Sequence, residues 1–535
     1  MAPTIVHLPN GQNLTITPVF GGLFFKSNDL THNSHSPFPP GWTIVLNSED
    51  DERVEFAQTG ADGREPSPAQ DEPKSKRFSV HRYKRPTLQN DHLYISSISN
   101  PSSTEFKPAS SPTRQIAMML WATLWWYFHQ AEPNLQITNA ASAKTSAAGR
   151  PEGEWRININ REGIFKGKVV LPKLERMGLI ASEESSVGIE QSEKSPEGWT
   201  NMFVSRRSFW QLDPRIYLFT LSPLAQSPFP AGSPYASRPA SPSGEGRKQD
   251  PTQIESVSQG LWSPNGPGPF HSTSHLPTYY PPPPPQYVFS NHVRHPIRPK
   301  PPRQGETFYT RFIPSLNQYL SFRVASISSK PLRHKGPVAS NNIVNSFRNS
   351  QISVMSEPAI PTMGLLGLGL SDPEYLHKWM NEPRVSHFWG EAGPQSHQEH
   401  FLKKGLQNKN SFPVIGCWDG KPFGYFEIYW VKEDNVGKYL GGNVGDYDRG
   451  IHCLVGEEEF RGPQRVKVWL SALVHYCWLA DNRTETIIME PRVDNETLSQ
   501  YCMDLGFYKE REISFPHKQA NLMKIRRDAW EAPGL

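Results

Sequence analysis

"YDRGIHCLVGEEEFRGPQRVKVWLSALVHYCWLADN", residues 447–482, changes its hydrophobic period halfway along. Its first part alternates, with Ile451, Cys453 and Val455 on one face and His452 and Leu454 on the other, which predicts a strand. From Gln464 onward, Val466, Trp469, Leu470, Leu473, Val474 and Cys477 recur at spacings of three and four, which predicts a helix. The basic turn Arg461-Gly462-Pro463-Gln464 joins the two. A helix start presents main-chain N–H groups with no partner inside the helix, and the helix dipole adds positive potential there. The turn is therefore expected to seat a phosphate.

The rest of the chain bounds what such a site can belong to. At 535 residues there is room for two or three domains. Hydrophobic residues make up 36%, low for a wholly compact chain, and 52 prolines point to long extended stretches. A net charge of +4 makes no case for nucleic acid or membrane partners. The four cysteines, Cys417, Cys453, Cys477 and Cys502, show no CxxC pair, so a disulfide framework or zinc site is not expected and a reducing compartment fits. The N-terminus lacks a secretory pattern, "IAMMLWATLWWYFH" is too short to span a bilayer, and "EAPGL" does not match the peroxisomal Ser-Lys-Leu type. A cytoplasmic protein is the expectation, with the peroxisome as alternative.

Three regions follow from composition. Residues 1–222 read as a smaller α+β region, with 49–80 expected to be disordered. Within it, Ile116–His129 predicts an apolar helix, "GIFKGKVVLPKLERMGLIAS" a second helix ending near Gly178, and "GWTNMFVSRRSFWQLDPRIYLFTL" two strands. That outline resembles a winged helix, with Lys166, Lys168, Lys173 and Arg176 on the second helix. Without accompanying base-reading residues, however, the charges are better read as a solvated face of a packing or dimerisation domain. Residues 223–304 read as a Pro/Ser-rich linker with an extended polyproline run, and His292 and His295 within it as solvent-exposed. Residues 305–535 predict a hairpin turning at "SLNQ", a helix capped by Ser371, three strands, the turn and helix above, the strand "ETIIMEP", a helix from Asn495 to Leu505, and two final strands. This is a mixed α/β sheet with flanking helices.

That order resembles the GNAT acyltransferase fold, in which coenzyme A straddles a splayed sheet with its diphosphate on the turn opening the central helix. The family's turn follows Gln/Arg-x-x-Gly-x-Gly/Ala; here Gln464 and Val466 stand where small residues are usual. The blocks "WMNEPRVSHFW", "GYFEIYW", "YDRGIHCLVG", "EPRVDN" and "FPHKQANLM" come in the same order as in siderophore-building acyltransferases, including bacterial N6-hydroxylysine acetyltransferases and fungal N5-hydroxyornithine acyltransferases. The long N-terminal extension looks like the fungal branch. The resemblance implies acyl transfer from acetyl-CoA, or another acyl-CoA, to the hydroxylated side-chain nitrogen of ornithine. The product is a hydroxamate for a ferrichrome-type siderophore that a peptide synthetase then assembles. Anhydromevalonyl transfer and an inactive coenzyme-binding module are the alternatives. No metal and no nucleic acid are implied, and a homodimer stays open.

The resemblance also distributes roles. Arg461, Gly462, Gln464, Arg465, Val466 and Asn495 would hold the coenzyme, through main-chain amides at 464–466 and with charge from Arg461, Arg465 and Lys467. His452 would be the base, partnered by Glu490 or Asp494, with Asp448 a third candidate that would otherwise cap a turn. Trp389, Glu427 and Lys518 would bind the amino acid, Glu427 through its α-amino group. The family tyrosine that protonates the leaving thiolate falls at Cys502, with Tyr501 one place earlier and on a different helix face. Cys453 and Cys502 would permit an acyl-cysteine route, although direct transfer is the family's usual course.

Overall fold

The computed structural model describes residues 4–9, 12–28, 38–50, 79–99, 112–139, 141–182, 202–214, 286–290, 292–334, 336–339 and 369–534. Residues 51–78 and 223–285, which include the polyproline run, lie outside these.

The N-terminal half is not a winged helix. In chain order it holds β1 (Ile5–His7), β2 (Asn13–Val19), β3 (Gly22–Ser27), β4 (Gly41–Asp50), β5 (Ser79–Arg82), β6 (Asp91–Ser99), α1 (Pro112–Tyr127), β7 (Arg156–Ile159), α2 (Val170–Arg176), β8 (Ala181–Ser182), β9 (Met202–Ser205) and α3 (Arg206–Gln211). The strands join in one mixed sheet ordered β1-β2-β3-β4-β6-β7-β9-β8, with β5 alongside β4. The expected apolar helix is α1, buried from Ile116 to Tyr127. Of the two strands expected over 198–221, the first is β9; Ser205 then caps α3 by accepting the Ser208 N–H and turns the chain into a helix, and residues 215–221 lie outside the described residues.

The segment read as linker ends earlier than residue 304. Strands β10 (Tyr287–Ser290) and β11 (Val293–Pro296) form a hairpin through His292, and Arg298 fixes it with a two-pronged contact to Glu433 at 2.5 and 2.6 Å. His292 is exposed, but His295 is 5% exposed, which corrects that expectation: its ring is held by Ser290 Oγ at 2.9 Å and Pro296 O at 2.9 Å.

The C-terminal half follows its expected order. It holds β12 (Thr307–Ile313), β13 (Gln318–Val324), α4 (Asp372–Met380), α5 (Pro383–Trp389), α6 (Gln395–Gln407), β14 (Ser411–Trp418), β15 (Lys421–Trp430), β16 (Arg449–Val455), α7 (Pro463–Ala480), β17 (Thr486–Met489), α8 (Glu496–Asp504), β18 (Tyr508–Ser514) and β19 (Gln519–Arg526). Helix α4 starts at Ser371, whose N–H reaches Glu374 Oε2 at 2.7 Å, as a capping pair should. The sheet order is β12-β13-β14-β15-β16-β17-β19-β18.

The two sheets repeat one plan. Each runs through four antiparallel contacts, one parallel contact and two antiparallel ones, with a buried helix crossing over at the parallel step and a second helix after it. Each parallel step pairs at two positions, Arg449↔Ile487 and Gly450↔Ile488 in one half, His92↔Asn158 and Leu93↔Ile159 in the other. One continuous core joins the halves, with Trp210 and Phe209 of α3 packed towards the flank of α7.

Candidate active site

After Gly450↔Ile488 the strands β16 and β17 part, and the functional side chains sit at the mouth of that split. His452 is two residues past the last pair on β16, and Glu490 is one residue past the end of β17. Their side chains close the mouth, Nε2 of His452 lying 2.5 Å from Glu490 Oε1.

Strand alternation supplies the rest. Tyr425, Glu427 and Tyr429 share one face of β15, and Glu427 stands directly across from His452. Glu427 Oε2 takes His452 Nδ1 at 2.9 Å, and Tyr425 donates to Glu427 Oε1 at 2.8 Å. Tyr429 donates to Glu490 Oε2 at 2.9 Å. To do so its ring lies across Gly450, where a Cβ would fall 1.9 Å from Tyr429 Cζ, so the strand needs a glycine there. The Tyr429 ring also tilts over His452 at 4.7 Å, and Trp389 meets it edge-on at 6.4 Å.

With a carboxylate on each ring nitrogen, His452 is a double donor and therefore an imidazolium. Burial pulls its pKa down, but the charge of Glu490, the hydrogen bonds to Glu427 and Glu490 and the charge of Glu427 outweigh it and push it up to about 10. Burial pushes both carboxyls up, yet His452 holds each below its ordinary value. The cluster thus carries two negative charges and one positive. Its exposure is graded: the His452 side chain is 34% exposed, Glu427 22% and Glu490 4%.

Several expected residues take other parts. Asp494 is not a partner of His452: it is half-exposed and paired with Arg492, so Glu490 fills that place. Asp448 caps a turn, accepting the Gly445 N–H at 2.8 Å. Asn495 spends its side-chain oxygen on the Leu498 N–H as the cap of α8. Glu427 accepts from Tyr425 on one oxygen and from His452 on the other, which places it in the histidine cluster. Lys518 donates to Glu490 O at 2.9 Å, beside the site.

The turn before α7 is less open than expected. Gly462 adopts φ +117°, which favours glycine, and its carbonyl already accepts the N–H groups of Arg465 at 3.1 Å and Val466 at 3.0 Å. Of the three amides expected to face phosphate, that leaves Gln464. Arg465 is packed against Trp418 and Phe460 and donates to Gln318 at 3.0 Å. Arg461 and Lys467 sit on Glu458 and Asp504 at 2.7 and 3.1 Å, half-exposed pairs that hold weakly and can be exchanged for an anionic ligand.

Burial pushes the Cys453 thiol up to about 12 and the Cys502 thiol higher, so neither is a ready nucleophile and the acyl-cysteine route finds no support. Tyr501 packs partly buried against the core. Sequence reasoning assigned neither Tyr425 nor Tyr429 to the His452 cluster; their two-residue spacing around Glu427 was the available signal. It missed Arg384, which binds Val455 O at 2.7 Å and Gly456 O at 2.5 Å at the end of β16, and no local pattern announces that contact.

Residues 370–515 match the acetyltransferase (GNAT) domain family. Over 97% of this chain and 100% of the relative, the sequence is 46% identical to the N5-hydroxyornithine acetylase sidL of Beauveria bassiana. Two narrower matches are the N(5)-hydroxyornithine:cis-anhydromevalonyl coenzyme A-N(5)-transacylase SIDF of the same species and the N(6)-hydroxylysine O-acetyltransferase of Escherichia coli. They are 33% and 32% identical, covering 44% and 43% of this chain and 42% and 58% of those proteins.

Proposed function

This chain belongs to the fungal N5-hydroxyornithine acyltransferases of the GNAT superfamily, and from that premise we propose that it is their acetyl-transferring kind, with the Glu427–His452–Glu490 cluster as proton acceptor. It is an acyl-CoA-dependent N-acyltransferase acting on N5-hydroxyornithine. The full-length likeness to an acetylase, against a partial likeness to an anhydromevalonyl transacylase, supports acetyl as the group moved. The observation that carries the catalytic reading is a histidine held between two carboxylates at the mouth of a split sheet.

Acetyl-CoA supplies an electrophilic thioester carbonyl and a thiol leaving group. The Gln464 N–H and the start of α7, with Arg461 and Lys467 released from their surface pairs, suit its diphosphate. A hydroxylamine nitrogen is weakly basic and reaches the site with its lone pair free. As it bonds to the carbonyl carbon it becomes acidic and must lose a proton. His452 has no free lone pair, so the proton enters at a carboxylate. Glu427 is the more exposed of the two, and Glu490 anchors the ring from the buried side. One proton brings the cluster from net −1 to neutral. Trp389 walls the acceptor side, and the Lys518 ammonium, with two N–H groups beyond its contact to Glu490 O, suits the amino-acid carboxylate. The four unpaired cysteines suit a reducing compartment such as the cytosol.

The test is thiol release by the full chain with acetyl-CoA and N5-hydroxyornithine, ornithine or a lysine peptide. Release is expected with the hydroxylated amine alone, and faster than with anhydromevalonyl-CoA. His452→Ala removes the cation that holds Glu427 and Glu490 in place and should lower kcat by about 10²–10⁴-fold, the range for disabling proton transfer, while the Kd for acetyl-CoA changes little. Equal rates with plain ornithine, or a matching loss of coenzyme affinity in His452→Ala, would overturn the reading.

A further inference from the structure

The seam between the two halves buries a positive charge that the acyl transfer does not use. Arg311 of β12 is 1% exposed, and its guanidinium keeps its proton at any pH a folded protein tolerates. Among the described residues it makes no ion pair, and Nε, Nη1 and Nη2 complete no full hydrogen bond, the Tyr309 hydroxyl oxygen being the polar group that approaches them. Its electrostatic neighbours are the Tyr309 hydroxyl, which helps, and Arg206, which opposes. Aromatic rings lie close by: the Cζ atom is 4.8 Å from the Trp210 ring centre and 5.7 Å from that of Trp125. Those contacts serve the flat face of the guanidinium. Its N–H groups point outward in the plane, and rings over the face do not satisfy them.

The pocket beside Arg311 offers further donors. Trp121, Trp210 and Thr310 line it, and Trp121 Nε1, Trp210 Nε1 and Thr310 Oγ1 are each buried without a hydrogen-bond partner. The histidine in its wall has no acceptor to spare. His475 donates Nε2–H to Trp210 O at 2.7 Å, so its lone pair is on Nδ1, and that takes the Tyr309 hydroxyl at 2.9 Å. Burial and the Arg311 charge push the His475 pKa down to about 3, so the ring stays neutral. A buried charge and two unpartnered indole N–H groups on side chains that line one space, with both His475 ring nitrogens already used, suit an anion. The pocket leaves about 10 Å³ for the centre of a water-sized sphere, the room for one small particle and too little for a phosphate or an organic acid. Water would satisfy the N–H groups but leave the buried charge unbalanced.

We propose that the seam binds one small monovalent anion of the halide class, held by Arg311 and the indole N–H groups of Trp121 and Trp210. The anion ties α1 and α3 of the N-terminal half to β12 and α7 of the C-terminal half. Because it favours the folded chain, stability tracks its concentration.

Thermal unfolding of the full chain, at constant ionic strength with sodium bromide replacing sodium gluconate, tests this. Above saturation the Tm should rise by about 1–2 °C for each tenfold rise in bromide, as one site on a chain of this size requires. Arg311→Met should abolish the dependence, and Trp121→Phe should move its onset to higher bromide. A flat wild-type response, or an equal slope in Arg311→Met, would overturn the proposal. Should Arg311→Met not fold, bromide-soaked crystals of the wild-type chain decide: an anomalous peak within hydrogen-bonding distance of Arg311 supports the site, and none at 0.5 M bromide refutes it.

Discussion

His452 shows how a single residue's chemistry is set by what stands on either side of it. Its pKa, raised from an ordinary 6.5 to about 10, means that the folded state holds a proton the unfolded chain releases earlier. The ion pairs therefore contribute stability in full below about pH 6.5, and that contribution is lost as pH rises through about 10. Glu427 and Glu490 are held below their ordinary 4.5, so their share is present above that value and lost as pH falls beneath it. Side-chain ¹⁵N NMR of labelled histidines should find His452 doubly protonated at pH 8.5, and Glu490→Gln should lower its titration midpoint; a neutral ring at pH 8.5 would contradict the cluster. His452 could be picked out in advance because strand alternation set it opposite the apolar face. The choice between Glu490 and Asp494 could not be made from sequence. Both follow one strand by a few residues, and only the point where β16 and β17 separate decides which reaches the ring.

Among the elements, β16 depends most on a missing side chain. Gly450→Ala would push the Tyr429 ring off the strand and break its hydrogen bond to Glu490, since a methyl group cannot share that space. The expected outcome is a fall in kcat together with a loss of about 1–3 kcal/mol in stability from denaturant unfolding, the range for overpacking. Tyr429→Phe should lower kcat with a much smaller change in stability, which separates the two effects. The C-terminal elements were legible because their alternation and caps are local: Ser371, the "SLNQ" turn and Asn495 each fix an end from within a few residues. The N-terminal half was not. Several of its strands are short, down to the two residues of β8, and the contacts that order them join distant segments such as β6 with β7. At α3 the Ser205 cap turns the chain into a helix even though the aromatics of "RRSFWQ" favour a strand.

For the whole molecule, the repeated plan raises the question of whether each half carries a site. In the N-terminal sheet the position two past the last parallel pair is Ile95, set across from Ile44, and both are 0% exposed. They stand where His452 and Glu427 stand. The split is also filled: the turn Gly163–Lys166 packs onto β6 so closely that a Cβ on Gly163 would fall 2.2 Å from Ile95 O, and Phe165 is fully buried there. Calorimetric titration should accordingly count one acetyl-CoA per chain, and a count of two would show the second split to be open.

Helix α7 has its first turn at the expected diphosphate seat and its flank, at His475, against Trp210 from the other half. A compound that wedged beneath that flank would displace the helix and disturb acetyl-CoA binding from behind, inhibiting the enzyme without resembling either of its substrates.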